Sequence, residues 1–389
     1  NERAGGLDVL VASVALVGND ERHVARITRD GVVHIDRHAE RGQTLFEGVR
    51  SRLTGDFCTD SIEAMGSMLF NDYTGTWEPE LCALAGLSVD MLPEIREPGD
   101  IAGCIGRSAA ADTGLREGTP VLVGTTDTAL EVYASGAVSP GCATVKLATA
   151  GRICVITDAP VKSRQFFNYR HVIPGLWYPG TGTRSCAASY KWYRDVFGAA
   201  ELRDAEEAGV SAYALLDEAA KNAPPGSDNL FFHPYLLGEM TPYYDDKLRA
   251  SFTGVGMHHT KAHFSRSVME GVAYSMRDCL EEVKRMDIAV SEYRMIGGGA
   301  KGALWRQILC DVLAVPLTVT VENDSSLGSA MLAGVAVGAF ADFRDSVEKC
   351  VAVSARMAPI TENVEIYAQG FENYRRIQRA LSSVYHGMF

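Results

Sequence analysis

The segment Met295-Ile296-Gly297-Gly298-Gly299-Ala300-Lys301-Gly302 sets three glycines between an apolar strand and a helix, and it constrains the fold more than any other feature. After Gly302, Leu304, Ile308 and Val312 form an i, i+4 stripe with Leu309 and Leu313 beside it, which predicts a helix over 302–314. Strands over 293–297 and 317–321 and a helix over 325–339 complete an order of strand, helix, strand, helix. That order is α/β. Three glycines at such a junction let the backbone come close to a nucleotide, although the same run also serves as a flexible connector. It is neither a Walker A loop nor GxGxxG.

The rest of the chain gives a coarser picture. Short strands with polar turns are expected over 7–35, at Val14 to Val17 and His23 to Ile27 with turns at Gly18-Asn19-Asp20 and Asp30-Gly31. Helices are expected over 44–53, ending at Gly55, and 78–86, ending at Gly86. Further helices are expected over 186–196, 201–221, 261–286 and 363–384, with a strand over 229–233. Gly136, Pro140 and Gly141 punctuate a domain junction near 135–143. A chain of 389 residues allows two or three domains, and 47% hydrophobic with 22% charged residues is a soluble globular balance. The net charge of −12 argues against nucleic acid as a partner. There is no run of 18 apolar residues, so no membrane span is expected, and no signal peptide is expected at the N-terminus. The nine cysteines are scattered without a CxxC pair and read as reduced core thiols of a cytoplasmic protein. The histidines show no metal spacing, and His258, His259 and His263 read as surface residues near a helix start.

Two further segments bear chemistry. In Pro120-Val121-Leu122-Val123-Gly124-Thr125-Thr126-Asp127-Thr128-Ala129 an apolar strand breaks at Gly124, and Asp127 opens a helix expected to run to about Ala134. That is where α/β proteins place ligand-facing groups. A carboxylate there can accept a hydroxyl proton during phosphoryl transfer, although locally it reads first as a plain helix cap. In the hairpin Ala143 to Leu147 and Arg152 to Ile156, the turn Thr149-Ala150-Gly151 could cradle a phosphate with amides and one hydroxyl, or be an ordinary turn.

Together these segments resemble a known family. "TPVLVGTTDTALEVYASGAVSPG", "VKLATAG", "HPYLLGEMTPYYDDKLRASFTGV", "RSVMEGVAYSMRDCLE", "GGGAKGALWRQILCDVLAVPL" and "SSLGSAMLAGVAVGAF" occur in the order and spacing of FGGY carbohydrate kinases. Upstream, "RLTGDFCTDSIEAMGSMLFNDYTGTWEPELCALAGL" and "LPEI" resemble xylulose kinases. The resemblance covers about residues 45–340. It implies the actin-like ATPase architecture, two domains of ribonuclease H-like fold flanking a cleft. Residues 1–139 would be a shortened N-terminal sugar-binding domain and 140–389 the C-terminal ATP-binding domain.

The resemblance also implies ATP and Mg²⁺ as cofactors and a sugar, D-xylulose first, as the substrate. By matched motif Asp127 would be the catalytic base, Thr149 would face the γ-phosphate, and Gly254, Gly298, Gly299 and Ala300 would approach the nucleotide. Asp8 and Asp127 would hold Mg²⁺. Glu239, Thr241 and Arg277 read as structural ion-pair and hydrogen-bond partners. Expected partners are a small-molecule sugar and, for self-association, a second copy in a homodimer. Four departures stand out. The phosphate turn is Ala148-Thr149-Ala150 rather than Gly-Thr-Ser, and Thr128 replaces an Asn. Leu7-Asp8-Val9 lacks a following Gly-Thr, and a sugar-contacting stretch is missing between His34 and Gln43. These departures keep open a second reading, a catalytically impaired homologue that binds nucleotide without turnover. An actin-like structural ATPase fits the fold but not the kinase motifs.

Overall fold

A computed structural model describes residues 24–27, 33–36 and 45–388. Within the expected strand region at the N-terminus, Val24–Ile27 pairs antiparallel with Val33–Asp36. The expected strand at Val14 to Val17, and Asp8, lie outside the described residues. Backbone packing divides the chain into two compact units, and neither is one continuous stretch. The first takes the residues up to Val138, then Tyr169–Leu176 and Glu322–Val351. The second takes Ser139–Asn168, Trp177–Val321 and the chain from Ala352 onward.

In the first unit, the helix Leu45–Thr54 ends against Gly55, whose left-handed φ of +78° favours glycine. Its apolar side, Val49 and Leu53, packs with Ile105, Ala109 and Val121. Cys58–Asp60 pairs parallel with Glu94–Arg96, and Pro120–Leu122 pairs antiparallel with Ile101–Cys104. The helix Asp127–Ala134 is buried at Ala129, Leu130, Val132, Tyr133 and Ala134. The helix Ser325–Ala336 closes on it at Gly328, where an added Cβ would stand 2.2 Å from the Leu130 carbonyl oxygen. That helix reads locally like any α/β helix, so its return to the first unit is a long-range outcome.

In the second unit a six-stranded sheet forms the frame. Its spatial order is Gly180–Thr183, Gly151–Val155, Cys142–Leu147, Glu292–Ile296, Leu317–Thr320 and Val353–Met357. Among the first three strands each is antiparallel to its neighbour, the next two run parallel to Cys142–Leu147, and the last is antiparallel to its neighbour. Ala143, Val145 and Leu147 on one face and Cys142 and Thr144 on the other are all buried, as a strand covered on both faces requires. The helix Lys261–Arg285 buries Val268, Val272, Met276, Leu280 and Val283 in the same core, and Trp305 ties the helix Ala303–Leu313 to it by donating to the Met269 carbonyl at 3.1 Å.

The expected helix over 201–221 is two helices, Ala199–Ala208 and Ala212–Ala220. Gly209 at φ +65° stops the first, and the Ser211 hydroxyl caps the second by accepting the Tyr213 N–H. Among the described residues no helix is long and apolar enough to cross a membrane.

Candidate active site

Asp127 is the first residue of its helix and is exposed. The cap is Thr126, whose hydroxyl accepts the Ala129 N–H at 3.4 Å, so the plain cap reading of Asp127 does not hold. Asp127 Oδ1 instead accepts the Thr128 N–H at 2.6 Å and the Thr128 hydroxyl at 3.2 Å. The helix terminus thus grips one carboxylate oxygen.

The turn that delivers Asp127 is tied down from several sides. Val123 N–H donates to Asp100 O at 2.8 Å, and Gly124 N–H donates to Pro98 O at 3.0 Å. Gly124 takes φ +74°. Buried Arg50 donates to the carbonyls of both Val123 and Cys58. The Thr125 hydroxyl donates to Asp60 Oδ1 at 2.8 Å.

Asp60 and its neighbours were not singled out from the sequence. Asp60 is fully buried, ends the strand Cys58–Asp60 and caps the helix Ser61–Gly66 through Ile62 N–H and Glu63 N–H. Its other oxygen, Oδ2, is buried without a hydrogen-bond partner. Burial pushes the Asp60 carboxyl up to about 6 against the pull of Thr125 and the two amides. Burial, then the charges of Asp60, Glu47 and Asp127, push Glu63 up to about 7. The signal that could have found this group is Asp60-Ser61-Ile62-Glu63, a cap residue with Glu three positions on.

In the second unit two of the expected segments meet. Cys142–Leu147 and Glu292–Ile296 are parallel neighbours with Lys146 opposite Ile296, so the two turns that follow emerge side by side. A Cβ on Gly297, at φ +91°, would stand 2.8 Å from the Leu147 carbonyl oxygen, and one on Gly299 would stand 2.7 Å from Leu147 Cδ2. A Cβ on Gly298 would meet nothing within 4 Å. Glycine at 297 and 299 is therefore explained by packing on Leu147, and Gly298 is the position that borders open space. Ala300 is buried and its N–H donates to Gly297 O at 3.0 Å.

The turn that follows Leu147 is Ala148–Ala150, because Gly151 already pairs with Leu147 in the sheet. The Ala148 and Thr149 carbonyls accept from Ala187 N–H and Cys186 N–H, at 2.8 and 2.9 Å, anchoring the turn to the start of the helix Ala187–Phe197. Thr149 itself is exposed. Gly254 takes φ +92°, and its missing Cβ makes room for the Asn229 carbonyl, 2.4 Å from where a Cβ would be. An exposed hydroxyl beside a glycine edge with open space suits a phosphate-bearing ligand. Asp8 lies outside the described residues. Among the described residues no group of three or more His, Cys, Asp or Glu could hold a metal ion. That is compatible with a cation carried mainly by phosphates, which needs only one or two protein carboxylates.

Glu239 is structural as expected. It is fully buried and accepts from Arg184 N–H, Met240 N–H and the Ser275 hydroxyl, with burial pushing it up to about 7. Buried Thr241 donates to Gln165 O and accepts from Gly182 N–H. Among the described residues Arg277 has no ion-pair partner: its guanidinium lies 4.6 Å from the Phe371 ring centroid, and Nε and Nη1 are buried without a hydrogen-bond partner.

Comparison with known proteins settles the family. The models for the N-terminal and C-terminal domains of the FGGY family of carbohydrate kinases match residues 39–133 and 149–337. The chain belongs to that family. It is 29% identical over 335 residues to the xylulose kinase of Bacillus subtilis (strain 168), covering 85% of this chain and 64% of that protein. It is 31% identical over 341 residues to the autoinducer-2 kinase of Enterobacter sp. (strain 638), covering 86% of this chain and 64% of that protein. Among solved structures it resembles gluconate kinase from Lactobacillus acidophilus, with a TM-score of 0.78 and 26% identity over 89% of this chain and 69% of that one. The fold is the α/β, actin-like ATPase fold of FGGY sugar kinases. The chain spans 64% of the length of the two curated relatives it is compared with.

Proposed function

We propose that this chain is the greater part of an ATP-dependent sugar kinase that transfers the γ-phosphate to a hydroxyl of a ketopentose, D-xylulose first. The observation that carries this reading is the exposed Asp127 carboxylate, gripped by its helix terminus at the end of a tied-down turn. Asp127 would accept the proton of the attacking hydroxyl. The Thr149 hydroxyl and the amides around Gly298 would receive the phosphates, and Gly254, Gly299 and Ala300 would shape the nucleotide side. Mg²⁺ would be held on the phosphates with Asp127 and Asp8, and when bound it neutralises developing charge. We place the reaction in the cytoplasm, where ATP is available.

D-Xylulose comes first because residues 51–97 and 229–280 read closest to xylulose kinases. The relatives named for gluconate and autoinducer-2 set the competing substrates. A site that hydrogen-bonds several hydroxyls rejects a shorter polyol, whose absence of hydroxyls leaves buried polar groups unpaired. A coupled ADP-release assay over ketopentoses, ketohexoses, gluconate, tetritols and glycerol tests this reading. Preference for D-xylulose supports it, and preference for gluconate or glycerol replaces the substrate while leaving the kinase. ATP binding without turnover on any of them would favour the impaired homologue, for which the alanines at 148 and 150 speak.

A further inference from the structure

We infer that Asp60 is a positioning residue for phosphoryl transfer: through Thr125 it fixes the turn that presents Asp127. This rests on the kinase reading with Asp127 as base. The strand Pro120–Leu122 ends before the turn, so the sheet ladder does not reach Thr125. Thr126 is occupied in capping the helix, and Thr128 is occupied with Asp127. The Thr125 side chain reaches a distant element, across 65 positions to Asp60.

Asp60 is a rigid anchor. It ends one element and caps the next, and its Oδ1 already accepts two amides at 2.9 and 3.2 Å before Thr125 adds a third donor. Its Oδ2 is buried and unpartnered, an arrangement that helix capping does not require. Asn would cap the same helix without burying a charge. The carboxylate does give Thr125 a charge-assisted acceptor, the stronger kind of hydrogen bond. A base held through such a bond stays in reach of the hydroxyl it must deprotonate, whereas a small misplacement reduces turnover steeply.

The test uses the full chain with its best sugar, measuring kcat, sugar KM, ATP affinity and melting temperature. Thr125→Val keeps the shape and removes the hydroxyl. It should lower kcat by about 10- to 100-fold with ATP affinity unchanged within about twofold. Thr125→Ser should restore most of kcat, which a purely steric role would not give. If Thr125→Val fails to fold, Asp60→Asn answers the same question: it keeps the cap but weakens the acceptor, and kcat should fall by roughly threefold or more. Wild-type kcat in whichever of these variants folds, with Asp127→Asn inactive, overturns the inference alone. Full turnover in Asp127→Asn removes Asp127 from the base role and overturns this inference with it, while leaving the kinase reading standing.

Discussion

Adjacent glycines at 298 and 299 should respond in opposite ways to the same substitution. In Gly299→Ala the new Cβ would lie 2.7 Å from Leu147 Cδ2, 2.9 Å from Cγ and 3.0 Å from the Leu147 carbonyl oxygen. Leu147 is fully buried in the sheet, so it cannot swing clear. Overpacking of this kind costs about 1–3 kcal/mol. For a unit of this size that lowers the melting temperature by roughly 2–12 °C. In Gly298→Ala the Cβ enters open space, and the backbone is not left-handed there, so stability should hold or rise by about 0.4–1 kcal/mol. Gly298→Val should fold and yet weaken ATP by about tenfold or more, or about 1.4 kcal/mol. Thermal unfolding with and without ATP, followed by calorimetric titration, reads both effects. A Gly299→Ala protein that melts like wild type refutes the packing reasoning. A folded Gly298→Val protein with wild-type ATP affinity refutes the placement of nucleotide at this edge.

Gly328→Ala should destabilise the first unit by about 2 kcal/mol or more, because its Cβ would stand 2.2 Å from the backbone oxygen of Leu130; denaturant titration checks it. Asp60 holds its proton more tightly folded, at about 6, than its ordinary value of 3.8, so its contribution to stability is complete below about pH 4 and is lost as pH rises through about 6. The two-unit rise sets a ceiling of about 3 kcal/mol on that loss. Asp60→Asn should therefore gain stability relative to wild type between pH 4.5 and 7.5, and a constant difference across that range in chemical denaturation would contradict it.

Local signals carried the parts of the site that depend on neighbouring residues. The helix Asp127–Ala134 and the hairpin before Thr149 follow from Gly124, Gly151 and the apolar runs beside them. The break at Gly209 is equally local: a glycine and then Ser211 mark a stop and a start inside the span 201–221 that the sequence predicts as one helix. Asp60 was harder to find, because its meaning lies in a bond to Thr125, which no local pattern encodes. The same holds for Gly299. Three consecutive glycines suggest one shared role, and only the register of the sheet over Leu147 separates the packing positions from the open one. The assignment of 322–351 to the first unit likewise depends on Gly328 fitting Leu130, two residues far apart in the chain.

The central claim is that Asp127 takes the proton of the sugar hydroxyl, and single-turnover phosphoryl transfer by Asp127→Asn tests it most directly. Asn keeps the size and the helix start while removing the basic oxygen. With ATP and the preferred sugar saturating, the rate should fall by about 10²-fold or more, while ATP affinity and melting temperature stay near wild type. A folded Asp127→Asn protein that transfers phosphate at the wild-type rate would contradict the account.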